Sequence, residues 1–182
     1  LVIVSGLDLS GTSRSISGFV VISDAVVIYV GSLRTNEEIL DKVKEFMPEV
    51  IAIDAPLSHA PGYRKIDLRL RSLGFKVLPP GWRGMKKLID RALILKEAFE
   101  DLGIKVIETH PSSAIKSSGL KSWEELLNLG MIKLAHDIRP KNKDEVDALI
   151  AATVAYFYVK GNTLVIKDVD GEVYLLPKLK HT

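Results

Sequence analysis

Val50-Ile-Ala-Ile-Asp54-Ala-Pro56 is four apolar residues closed by a carboxylate, and Leu1-Val-Ile-Val-Ser-Gly-Leu-Asp8 repeats the pattern at the start of the chain. An apolar run without polar alternation is a strand buried on both faces, as in a parallel sheet. An acid where such a strand ends, beside Gly or Pro, stands at the carboxyl edge of the sheet, where open α/β folds place their ligands. Lys105-Val-Ile-Glu108-Thr-His110-Pro111 carries the pattern a third time. Three acids at one edge repel each other unless a cation lies among them. The arrangement points to a metal-dependent site.

Outward from these strands, the chain punctuates itself clearly. Ser17-Gly-Phe-Val-Val-Ile22 and Ala25-Val-Val-Ile-Tyr-Val30 flank a Ser23-Asp24 turn, so with the first strand they form an antiparallel meander. Thr35-x-x-Glu38 is a capping box, with Ile39, Leu40, Val43, Phe46 and Met47 at helical spacing behind it and Pro48 to stop the helix. A crossover helix before the Val50 strand implies a parallel, right-handed connection. Helices are expected over 64–73, 85–102, 112–118, 122–129 (with Ser122-x-x-Glu125 as a second box) and 144–159. Alanines at 148, 151, 152 and 155 suit the last helix to close approach on the sheet. Leu164–Asp168 and Glu172–Leu176 around Asp170-Gly171 read as a C-terminal hairpin.

At 182 residues, 47% hydrophobic and 26% charged, the chain fits a single domain spanning 1–182. The apolar runs are of strand length, so no membrane partner is expected and a cytoplasmic location is. The lack of cysteine excludes disulfides, thiolate metal sites and a cysteine nucleophile. Net charge is only +2, but nine bases against two acids between Arg64 and Arg91 make that stretch +7 and leave −5 elsewhere. The basic stretch contains Pro79-Pro80-Gly81-Trp82, a loop with an aromatic, followed by Arg83, Lys86 and Lys87. Basic groups around an aromatic suit a phosphate backbone and a stacked base. The competing reading is two solvated amphipathic helices.

Asp144 and Asp147 share a face of the last helix at i, i+3. Acids in a first turn favour the helix dipole in any case. Asp147, however, borders the apolar Ala148–Ala152 face and needs a partner, which a metal shared with Asp8 and Asp54 would supply. Asp8 also suits a small-residue turn that hydrogen-bonds its own amides. His110 has a catalytic reading, orienting water or a leaving group, and a structural one. Arg64 and Asp67 stand at the spacing of a helical ion pair.

Taken in order, Gly-Leu-Asp8-Leu-Ser-Gly, Ile-Asp54-Ala-Pro-Leu, Arg64-x-x-Asp67, Glu108-Thr-His-Pro111 and Lys143-Asp-Glu-Val-Asp147-Ala-Leu resemble the DUF429 family, described as predicted nucleases of the ribonuclease H-like fold. The resemblance spans nearly the whole chain. It implies a mixed α/β sheet of five strands in order 3-2-1-4-5, flanked by helices. It also implies two divalent ions, Mg²⁺ or Mn²⁺, held by Asp8, Asp54 and Asp147 with Asp144 close by. The helix-borne Glu of ribonuclease H has no clear counterpart, and Glu108 takes its place among the catalytic and metal-binding acids. Arg64, Trp82, Arg83, Lys86, Lys87 and Lys143 are then the candidate contacts to nucleic acid, DNA or RNA, with Asp67 and His110 accessory.

The leading expectation is therefore a two-metal nuclease. Asp8-Leu-Ser-Gly-Thr-Ser13 also resembles the first phosphate-binding turn of actin-like ATPases and sugar kinases, although one domain lacks room for their second lobe. A nucleic-acid-binding module without catalysis is the third alternative.

Overall fold

A computed structural model describes residues 1–180. The meander forms as expected: β1 (Ile3–Asp8) pairs antiparallel with β2 (Ser17–Ser23), and β2 with β3 (Val26–Leu33). Asp24 and Ala25 turn the second hairpin, both at positive φ, 46° and 69°. That left-handed pair matches the right-handed twist of the strands it joins.

The Thr35–Glu38 capping box opens α1 (Asn36–Phe46), which leads into β4 (Val50–Ile53), parallel to β1. Two helices follow, α2 (Lys65–Ser72) and α3 (Arg83–Asp101), and then β5 (Lys105–Glu108), parallel to β4. After α4 (Pro111–Ser118) and α5 (Glu124–Asn128) comes a strand that the sequence did not announce, β6 (Lys133–Leu134), parallel to β3. Two residues are too few to show any alternation. Nor does Ser122 cap α5, which begins at Glu124, while Glu125 reaches back to the Lys121 amide.

The chain closes with α6 (Lys143–Val159) and the hairpin β7 (Leu164–Asp168) and β8 (Gly171–Leu175). Asp170, in the hairpin turn, accepts the Lys65 and Ile66 amides and so caps α2. The main sheet runs β5-β4-β1-β2-β3-β6, which is the expected order 3-2-1-4-5 with β6 added at its far edge. Among the described residues no helix is long and apolar enough to cross a membrane.

Strict alternation divides the core into two layers. Val4, Val20, Ile22, Ala52 and Ile107 pack toward α6. Leu7, Phe19, Val21, Ile51, Ile53 and Val106 pack toward α1 and α3 through Ile39, Val43, Ala92, Leu95 and Phe99. On the first side the helix comes down onto the strands themselves. A Cβ at Gly6 would lie 2.1 Å from the Ala148 carbonyl oxygen and 2.2 Å from the Ala152 nitrogen, and one at Gly18 would lie 2.1 Å from the Asp144 carbonyl oxygen. Both glycines are there because backbone meets backbone.

Gly6→Ala should therefore destabilise the protein by about 1–3 kcal/mol or more, since neither backbone can yield without moving α6. Gly11→Ala, whose new methyl would meet nothing nearer than 3.8 Å, should change stability by less than about 0.5 kcal/mol. Urea denaturation of the two variants measures the contrast, and equal midpoints would refute the close-contact account.

Candidate metal centre

The register of β1 and β4 sets two of the acids side by side. Leu7 lies opposite Ile53, and the Asp54 amide donates to the Leu7 carbonyl at 2.9 Å. Asp8 and Asp54 are thus each one residue beyond a matched pair. By alternation from Gly6 and Ala52 both face α6. Asp147 stands one residue before Ala148, where the helix backbone touches Gly6. One ligand oxygen from each of Asp8, Asp54 and Asp147 lies within 4.8 Å of the others. Asp144, three residues before Asp147 in the first turn of α6, stands on the same helix face.

The electrostatics of the group are those of a site short of positive charge. Burial, and then the charge of and hydrogen bond to Asp54, push the Asp8 carboxyl well above the ordinary carboxylate range. Burial also pushes Asp54 up, against a hydrogen bond from Asp8 that pulls it down, with the Asp147 charge adding to the rise. The two behave as a pair sharing a proton. Lys143 bonds Asp147 at 2.6 Å, but its side chain is 86% exposed and it balances one charge at the edge. Three oxygen donors without enough cation suit a hard divalent ion such as Mg²⁺ or Mn²⁺.

Glu108 does not join them. It pairs opposite Ile53, one residue short of the Asp54 level, and lines the same cavity as Asp8 and Asp54 without being one of the three clustered acids. There its Oε1 accepts from the Leu57 amide and from Arg64 Nη1, each at 2.9 Å, and Oε2 accepts from Arg64 Nη2 at 2.6 Å. Glu108, expected as a metal ligand, and Arg64, expected as a substrate contact, are here joined in a buried ion pair. Arg64 Nε and Nη2 donate to Asp67, and Nη1 also donates to Ser58, so every guanidinium N–H is committed inside the protein. The helical Arg64–Asp67 pair forms as its spacing suggests, and the three side chains are at most 9% exposed. Burial opposes the Arg64 charge, but Glu108 and Asp67 outweigh it and hold the group above its usual range.

His110 lines the cavity beside the acids and bonds the Ser113 hydroxyl through Nδ1. Burial lowers its pKa, which favours the neutral ring. Trp82, Arg83, Lys86 and Lys87 are exposed at the start of α3. Met85 and Leu88, from the same turns, line the cavity.

Two supporting residues escaped the sequence reading. Glu145, in an Asn142-x-x-Glu145 box that was legible, accepts from the Lys141 amide and from the Ser32 hydroxyl, pinning the start of α6 to β3. Arg91 ties the loop after Asp8 to α3 and α1 by donating to Ser10, Asn36 and the Arg34 carbonyl. Nothing local in the sequence marks Arg91, because its partners lie more than fifty residues away.

No protein-family model matches the chain, and no curated protein matches it. Among solved structures, T. thermophilus RuvC in complex with a Holliday junction substrate is similar at 18% identity and a TM-score of 0.54, covering 88% of this chain and 97% of that one. A second Thermus thermophilus RuvC structure is similar at 18% identity and a TM-score of 0.54, over 87% of this chain and 96% of the other. At that identity the likeness establishes the shared ribonuclease H-like fold.

The raised Asp8 and Asp54 carboxyls mean that the metal-free native state holds protons the unfolded chain has already lost. Stability should therefore fall as pH rises above the ordinary carboxylate range. A divalent ion takes the place of those protons, so Mn²⁺ should raise Tm more at about pH 8 than at about pH 5. Melting curves with EDTA and with Mn²⁺ at both pH values check this, and an equal shift at each would count against a metal among these acids. Breaking the other cluster with Arg64→Met leaves two buried carboxylates unpaired and should cost about 3–5 kcal/mol. Denaturant titration of that variant reads the loss directly.

Proposed function

We propose that this protein is a metal-dependent nuclease that hydrolyses phosphodiester bonds in nucleic acid. The convergence of Asp8, Asp54 and Asp147, from two adjacent strands and the last helix, is the observation that carries the reading. Asp8, Asp54 and Asp147 would hold the divalent ions, with Asp144 at the rim. Mg²⁺ or Mn²⁺ bound there supplies activation of water and relief of charge on the leaving oxygen.

The chain's own residues supply position and field. The Glu108–Arg64 pair fixes the Leu57 amide and with it the Asp54–Leu57 turn. Lys143 sits at the open side of Asp147, where it can meet a phosphate. Arg83, Lys86 and Lys87, exposed at the start of α3, would neutralise flanking phosphates. The resemblance to DUF429 proteins supports this reading. So does the fold shared with RuvC, a protein solved with a Holliday junction substrate.

The test is cleavage of a panel of single-stranded, duplex and branched DNA and RNA in Mg²⁺ or Mn²⁺. Activity should vanish in EDTA and in Asp54→Asn, which keeps the side-chain shape but removes the charge facing the ions. Lys86→Ala combined with Lys87→Ala should weaken binding and lower its salt dependence, since each neutralised phosphate releases counterion. Cleavage that survives Asp54→Asn would assign the activity elsewhere. A panel with no cleavage in either metal would leave a binding module.

A further inference from the structure

We infer that the cavity beside the three acids receives an unpaired nucleobase of the substrate strand. This inference rests on the nuclease reading of the acids and names what that site selects. The cavity holds about 260 Å³, and Asp8 and Asp54 form one of its walls. An apolar wall is formed by Leu9, which follows Asp8, by Val77 and Leu78 from the loop between α2 and α3, and by Met85 and Leu88 from α3. Leu78 is 54% exposed and Trp82 is 57% exposed, so the approach to this wall is apolar as well.

Phosphodiester hydrolysis needs acids, ions and bases, and it has no use for such a wall. A phosphate or sugar placed against it would lose hydration without gaining hydrogen bonds. A nucleobase is the one part of a nucleic acid with a broad apolar face. The volume is below the range of drug-sized pockets and admits a single base rather than a stack. The exposed bases Arg83, Lys86 and Lys87 belong to the same first turns of α3 that supply Met85 and Leu88 to the cavity.

A paired base cannot enter without leaving its stack, at a cost of a few kcal/mol that is least where the base is already unpaired. Bulges, junctions and single strands are thus favoured over continuous duplex. Of the polar groups in the cavity wall, Arg64, Asp67 and Glu108 have committed their hydrogen bonds to one another and add no base selectivity.

Equilibrium binding of the 182-residue chain in Ca²⁺ tests this, with three labelled duplexes of one sequence made in both DNA and RNA. One is fully paired, one carries a single unpaired adenine, and one carries an abasic residue in place of that adenine. The adenine-bulged duplex should bind about tenfold more tightly than the abasic one, in line with the contribution of a single stacked base. Leu78→Trp, at an exposed position that tolerates the larger side chain, should fill the cavity and erase that preference with the abasic Kd unchanged. Leu88→Trp serves as a second filling variant, with melting curves to establish that each is folded.

Equal affinity for bulged and abasic duplexes in both nucleic acids overturns the proposal, as does a preference that persists in both folded Trp variants. A base preference with no cleavage in Mg²⁺ or Mn²⁺ keeps the cavity assignment and removes the nuclease one. Cleavage of paired, abasic and bulged duplexes at one rate keeps the nuclease and removes the cavity assignment.

Discussion

The site depends on how closely the last helix lies on the first two strands. With glycine at 6 and 18, the α6 backbone rests against the backbones of β1 and β2, and no side chain intervenes. A side chain at 6 or 18 would hold α6 further from the sheet and carry Asp147 away from Asp8 and Asp54. Here the alanine face of α6 and the two glycines remove that obstacle. Asp147 and Asp144 are thereby delivered over Asp8, and Glu145 secures the helix end through Ser32. Function and packing rest on the same contact.

Two clusters of buried charge lie a few residues apart and follow opposite rules. Arg64, Asp67 and Glu108 close on themselves: each guanidinium N–H has a carboxylate or hydroxyl partner, and the group costs little as long as no member is lost. Asp8, Asp54 and Asp147 remain open, with Lys143 offsetting only one of them. Burial and mutual charge raise the pKa of Asp8 and Asp54 and lower stability in the absence of a cation, the usual cost of a site prepared for a ligand. The closed cluster is what lets the open one exist. It holds the turn after Asp54 through the Leu57 amide, and Asp170 anchors the helix that carries Arg64.

The same geometry accounts for the cavity. The α2–α3 connection and the start of α3 contribute Val77, Leu78, Met85 and Leu88 to the cavity that Asp8 and Asp54 also line. Charge and apolar surface share one small space, which suits a ligand with both characters.

Most of the fold was legible in the chain itself, because it depends on local signals. Unbroken apolar runs gave the parallel strands, short turns the meander, the Thr35 box and Pro48 the limits of α1, and Asp170-Gly171 the final hairpin. Asp8, Asp54 and Asp147 were legible as acids ending buried elements, and the structure brings these three together. What the sequence could not determine depends on register and on partners distant along the chain. Glu108 looks identical to Asp54 as the acid closing an apolar run, yet it pairs with Ile53, one residue short of the Asp54 level, and Arg64 claims both of its oxygens. Arg64 reads as a helical partner of Asp67, and only the fold brings Glu108 to it, from 44 residues away. A strand's identity is written in its own residues, but the partner of its last side chain comes from elsewhere in the chain, and only the tertiary structure decides that.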